Sequence, residues 1–137
     1  MITAIDTNVL SAIWDREPGH ERLVKALGEA FHAGSLVVCG VVFAEALAHP
    51  RATEEFVRNF FAETGITVDF EMNEPLWTET ARRYARYVQR RRRSSGQTSK
   101  RLLADFMVGS HALTHSDRLL TLDKGRYERD FPELELA

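Results

Sequence analysis

A single cysteine, Cys39, leaves the chain without a partner for an internal disulfide and without the thiols of a zinc cage. It lies in the apolar run Leu36-Val37-Val38-Cys39, where it reads as a small buried hydrophobe. A cytoplasmic protein is the economical inference. No apolar run approaches the roughly 20 residues of a membrane span, and the apolar start is too short for a signal peptide. With 8 glycines and 4 prolines there is no low-complexity tract, no Walker loop and no Gly-rich dinucleotide turn. No Ser/His/Asp or Cys/His arrangement for nucleophilic catalysis is present either. The net charge of −2 points to no polyanion by itself, yet acids are missing from one long stretch. Between Arg82 and Arg101 there is no Asp or Glu, while that stretch carries half of the 18 Lys and Arg. Such a basic segment on an otherwise acidic chain is what polyanion binding needs.

What is present is an ordinary globular composition, 44% hydrophobic and 28% charged, over 137 residues. That length predicts one domain, residues 1–137, with a real core. Strand-like apolar runs fall at Ile2–Ile5, Leu36–Cys39, Ile66–Phe70 and Leu119–Leu122, with a short last one at Leu134–Leu136. Helical spacing alternates with them. Pro18–Ala33 places Leu23, Val24, Leu27, Ala30 and Phe31 on one face before Gly34 stops it. Val42–Ala48 and Thr53–Glu63 follow. Asn73 can cap a long helix packed through Trp77, Ala81, Tyr84 and Val88, and a last helix covers about Leu102–Thr114. Alternation of this kind predicts an α/β fold with a mainly parallel sheet of four to five short strands and helices on both faces.

Parallel strands share one carboxyl edge, and a helix that feeds a strand starts at that edge. Asp6 ends the first strand in Ile5-Asp6-Thr7-Asn8, and Asp123 ends the fourth in Leu120-Thr121-Leu122-Asp123. Glu45 falls about one turn into the helix after the second strand, and Asp105 opens the helix that leads into the fourth. Each acid has a plainer role open to it. Asp6 can cap the next helix, Glu45 can sit on a solvated face, Asp105 can complement a helix dipole and Asp123 can make a turn. Four such coincidences on one rim, each in apolar surroundings, favour a site. Clustered carboxylates repel, and either shared protons or a hard divalent cation relieves them. Oxygen ligands without Cys or His at ligand spacing select Mg²⁺ or Mn²⁺ over Zn²⁺, and such an ion equips a site to hydrolyse phosphodiesters with activated water.

These residues resemble the PIN-domain ribonucleases, specifically the VapC toxins of type II toxin–antitoxin systems. The likeness rests on Asp6-Thr7-Asn8, Glu45, Asp105 at the head of Asp-Phe-Met-Val-Gly-Ser-His-Ala, Leu119–Asp123, and the tail from Tyr127 to Leu134. It spans nearly the whole chain. It implies a three-layer PIN-like domain whose catalytic acids are Asp6, Glu45, Asp105 and Asp123, with Asp6, Asp105 and Asp123 as metal ligands for Mg²⁺ or Mn²⁺. Asn8 and Thr121 match supporting polar positions. An RNA substrate, a homodimer and a cognate antitoxin are implied as well. The chain departs from the family in Val108-Gly109-Ser110, where Ile-Ala-Ala is usual, and this leaves the acids untouched.

The run Arg90–Arg93 either ends a helix, where cations are favoured, or handles RNA phosphates near the metal. RNA binding by Arg90, Arg91, Arg92 and Arg93 is preferred because no acid within the segment balances them. His111 and His115 share a helix face but lack a third ligand nearby in sequence, so packing or exposure explains them better. Trp14 and Trp77 read as packing residues. Two other functions compete with the nuclease. An aspartyl-phosphate phosphotransfer protein would use Asp6 as nucleophile but lacks a second Asp at position 8. A non-catalytic or regulatory PIN-like module would use the acids only to dock a basic partner.

Overall fold

The computed structural model describes residues 1–94 and 102–137. The polar stretch 95–99, together with Lys100 and Arg101, lies outside them. Eleven elements follow in the order β1 (Ile2–Ile5), α1 (Thr7–Trp14), α2 (His20–Ala33), β2 (Ser35–Cys39), α3 (Gly40–Leu47), α4 (Glu54–Thr64), β3 (Ile66–Asp69), α5 (Glu74–Arg93), α6 (Leu103–His115), β4 (Arg118–Leu120) and α7 (Lys124–Asp130).

The four strands make one parallel sheet in the order β3-β2-β1-β4. Ala4 pairs with Val37 on one side and Leu119 on the other, and Cys39 pairs with Asp69. This register brings the ends of β1, β2 and β3 level, with Asp6 one residue beyond Ile5. The two crossovers that step from β1 to β2 and from β2 to β3 run in one direction, and the return from β3 to β4 runs in the other. Right-handed crossovers therefore put α1 to α4 on one face and α5 and α6 on the opposite face. The α/β, three-layer expectation holds.

Local chemistry explains the element ends. The Thr53 hydroxyl accepts from Phe56 N at 3.1 Å, and Asn73 Oδ1 accepts from Leu76 N at 3.2 Å, each capping its helix. Gly65 closes α4 in the left-handed region, φ 76°, where a Cβ would also meet the Phe31 ring at 2.4 Å. The core gathers Ile5, Val9, Leu10, Leu36, Val38, Val42, Phe106, Leu119, Tyr127 and Phe131. Gly109 lets Phe131 lie against α6, because a Cβ there would sit 2.3 Å from that ring. The residue that departs from the family pattern thus fits the tail of this chain.

Several details differ from the sequence reading. Helices α1 and α7 are additional, both short. β3 stops at Asp69 and β4 at Leu120, while Leu136 contributes only an isolated bridge to Leu119. On α5 the buried side chains are Leu76, Thr80, Arg83 and Tyr87, whereas Trp77 is 45% exposed and Ala81 is exposed. The face is turned because Arg83 has partners elsewhere in the chain. Its Nε lies 2.6 Å from Glu79, its Nη1 donates to Asp130 O at 2.7 Å and to Glu133 Oε2 at 2.9 Å, and the guanidinium stacks 4.7 Å from the centre of the Phe131 ring. On α2, Val24 and Phe31 are likewise exposed rather than packed.

Candidate active site

Asp6 is both a helix cap and the centre of a polar cluster. Its Oδ1 accepts from Thr7 N at 2.8 Å, which caps α1. Its Oδ2 accepts from the Thr121 hydroxyl at 2.9 Å and from Asn8 Nδ2 at 3.3 Å. Asn8 Nδ2 reaches Thr121 Oγ1 at 3.3 Å, and Asn8 Oδ1 accepts from Leu122 N at 3.1 Å. The end of β1 and the end of β4 are thereby locked together by side chains, one position past the backbone bond from Asp6 N to Leu120 O at 3.0 Å. Asp6 is 6% exposed.

Glu45 reaches the same place from α3. Its Oε1 accepts from the Thr7 hydroxyl at 2.7 Å. Asp105 stands in the first turn of α6, where its Oδ2 accepts from Leu102 N at 3.3 Å. Burial pushes the Asp6 carboxyl above its usual range, hydrogen bonds from Thr121 and Thr7 and the nearby Tyr127 phenol pull it back, and the charge of Asp105 raises it again. Burial raises Glu45 too; the Thr7 hydrogen bond pulls it back, and the like charges of Asp6 and Asp105 add to the rise. Asp6, Glu45 and Asp105 therefore share one electrostatic neighbourhood. Asp123 follows β4, with its backbone N donating to Thr121 Oγ1 at 3.1 Å and its carboxylate 3.2 Å from Arg126 Nε.

A match to a family model covers residues 3–132, and its description is PIN domain. The chain belongs to the PIN domain family. Solved structures share the fold over the whole chain. The chain is similar to VapBC2 from Rickettsia felis bound to a DNA fragment from its promoter, with a TM-score of 0.67 and 17% identity, covering 100% of this chain and 98% of the other. For VapBC-1 from nontypeable Haemophilus influenzae the values are 0.64 and 18%, covering 100% and 97%. For FitAB bound to the IR36 DNA fragment they are 0.66 and 19%, covering 100% and 94%. No curated protein sequence matches.

Among the described residues of this PIN domain, no three His, Cys, Asp or Glu side chains close tightly enough to grip a cation by themselves. The donor set nevertheless fits a hard ion. All its atoms are oxygen, and the almost buried Asp6 carries like-charge neighbours that a cation would relieve. Mg²⁺ in particular keeps several waters, so part of such a carboxylate set can hold it through water rather than directly.

The basic run is divided. Arg90 forms an ion pair with the buried side chain of Asp130, so acids distant in sequence do balance part of the segment. Arg91 is half-buried, and Arg92 and Arg93 are exposed at the end of α5. Tyr84 and Tyr87 of α5 pack on Phe106, which places the second half of α5 against the residue that follows Asp105. Two functional partners escaped the sequence reading. Thr7 was legible as a hydroxyl one step past Asp6, but nothing local linked it to Glu45. Tyr127 approaches Asp6 only through the fold. No helix among the described residues is long and apolar enough to cross a membrane.

Proposed function

We propose that this PIN domain is an endoribonuclease toxin of a toxin–antitoxin pair, cytoplasmic, and dependent on Mg²⁺ or Mn²⁺ held by Asp6, Asp105 and Asp123. Glu45 completes the catalytic set. The observation that carries this reading is Asp6, nearly withdrawn from water yet set among like charges. That arrangement costs stability unless a cation offsets it. When bound, the ion supplies charge neutralisation for phosphate oxygens and acidifies a water. The chain's own residues do the rest. Asp6 is fixed by Thr7 N, Asn8 and Thr121, so its carboxylate cannot swing away. Thr7 occupies Oε1 of Glu45 and leaves Oε2 to accept the proton of the attacking water. In-line attack of that water on phosphorus breaks the P–O3′ bond, and the departing oxygen takes up a proton from solvent, which leaves a 5′-phosphate and a 3′-hydroxyl.

Exposed Arg92 and Arg93 would hold RNA phosphates, with Arg90 and Arg91 beneath them. The likeness in fold to the VapBC and FitAB assemblies supports an antitoxin partner, and a homodimer belongs to the same proposal. The test is cleavage of RNA by the purified chain with Mn²⁺. Loss on Asp6→Ala and on chelation is expected, and cleavage that survives either treatment would overturn the reading. Sequencing RNA 5′ ends after brief induction identifies the target.

A further inference from the structure

Away from the acidic cluster, α6 buries one imidazole. His111 is 1% exposed, and its Nε2 lies 2.8 Å from Oδ2 of Asp69. Asp69 ends β3 at the carboxyl edge of the sheet, and its Oδ1 accepts from Glu71 N at 3.0 Å. One carboxylate thus ties together the end of the edge strand, the start of the link to α5 and the middle of α6. The exposed His115 ring stands 5.1 Å from that of His111. Among the described residues these three do not form a metal cage.

α6 has reason to need a directional tie. Its buried side chains include Gly109, Ser110 and Ala112 beside Phe106, Val108 and His111. Gly109, Ser110 and Ala112 give this stretch little side chain to interlock beyond Phe106, whereas a hydrogen bond to a carboxylate fixes both position and direction. Leu102, at the N-cap, provides no side-chain cap. Asp105 lies six residues before His111, roughly 9 Å along the axis at the usual helical rise. A turn of α6 about its axis would carry the Asp105 carboxylate away from Asp6 and Glu45.

We propose that His111 and Asp69 form a latch that fixes the rotation of α6 and so places Asp105. His111 is a positioning residue, not a catalytic one. The inference rests on the metal-site reading of Asp105. Its test is the Mn²⁺ affinity of folded full-length variants, read from the spin-resonance signal of free Mn²⁺. His111→Leu and Asp69→Ala are expected to weaken binding about tenfold, the scale on which residues that orient metal ligands act. His111→Gln, whose amide N–H can stand in for Nε2–H, should restore it. Val57→Ala, a truncation in the core face of α4, should lower the Tm and leave Mn²⁺ affinity unchanged. Amide exchange across 103–109 should rise in His111→Leu and Asp69→Ala but not in Val57→Ala. Unchanged affinity and exchange in both latch variants would overturn the proposal, as would equal losses in Val57→Ala. A wild type that binds no Mn²⁺ would instead sink the metal reading, and amide exchange would then decide the latch alone.

Discussion

Thr7 holds two carboxylates at once: its backbone N–H binds Asp6 at 2.8 Å and its hydroxyl binds Glu45 at 2.7 Å. The first bond follows from helix capping, since the first amides of α1 lack partners within the helix. The second crosses from α1 to α3, between residues 38 apart in the chain. A residue with no acid or base of its own therefore sets the spacing between two acids.

Thr7→Val separates the two bonds, because it keeps the amide and removes the hydroxyl. RNA cleavage should fall roughly tenfold or more, with Thr7→Ser restoring most of it. Stability should change by only about 1 kcal/mol, the usual net worth of one hydrogen bond. Rate measurements on variants of matched folded fraction check this. Full activity in Thr7→Val would show that Glu45 needs no such support.

Asp6→Asn should stabilise the cation-free chain while it abolishes cleavage. Asn caps helices as well as Asp does, so the bond from Thr7 N survives. The variant removes a nearly buried charge that faces Glu45 and Asp105 but sets an amide nitrogen where Asn8 and Thr121 now donate, so a net gain of no more than about 1 kcal/mol is expected. Thermal melts test both halves. Mn²⁺ should raise the Tm of the wild type and leave that of Asp6→Asn unmoved. A lower Tm in the variant would mean that Asp6 is mainly a structural residue.

Acid should unmake the His111–Asp69 contact. The hydrogen bond from His111 holds Asp69 below its ordinary range, and Arg83 does the same for Glu133. A carboxyl whose folded value is depressed contributes stability that is present above its unfolded value, about 4, and lost as pH falls through the folded one. Asp6 and Glu45, raised in the fold, act in the opposite sense: what they contribute is full below their unfolded values and lost as pH rises through the folded ones. Tm curves of wild type and Asp69→Asn without metal, taken from about pH 3 to about pH 7, isolate the first effect. The gap between them should be widest near neutrality and close toward acid. A constant gap would contradict the assignment.

The grouping of Asp6, Glu45 and Asp105 was legible because strand ends and helix starts are local facts, whereas the Asp123 carboxylate is drawn to Arg126. An apolar run that stops on Asp6 or runs into Asp123 declares its own boundary, and parallel order does the rest. α7 was hidden by length, seven residues with little apolar repeat, while α1, as long as the legible α3, was foreshadowed only by Asp6 as a possible cap. The rotation of α5 was hidden for a different reason. Periodicity put Trp77 and Ala81 inward, because it has no way to bury an arginine. Arg83 goes in because Glu79, Glu133 and the Asp130 carbonyl receive it, and two of those three lie 47 and 50 residues away. The same blindness made Arg90 look unpaired.

That pairing divides the arginine run into two experiments. Asp130 is buried and Arg90 forms an ion pair with it, so Arg90→Gln takes a cation away from a buried carboxylate. It should destabilise the fold, by about 1 to 3 kcal/mol for a lost charge-assisted bond. Arg92 and Arg93 project from the same helix end into solvent, and their replacement should cost little stability. Arg92→Gln with Arg93→Gln should weaken RNA binding across sequences and flatten its salt dependence by about one unit of slope for each phosphate no longer neutralised. Denaturant melts and filter binding at several salt concentrations give both answers. If the exposed pair shifts stability and Arg90 alone shifts the salt slope, the roles are reversed. An unchanged slope in both would leave the whole run as a helix end that anchors the tail.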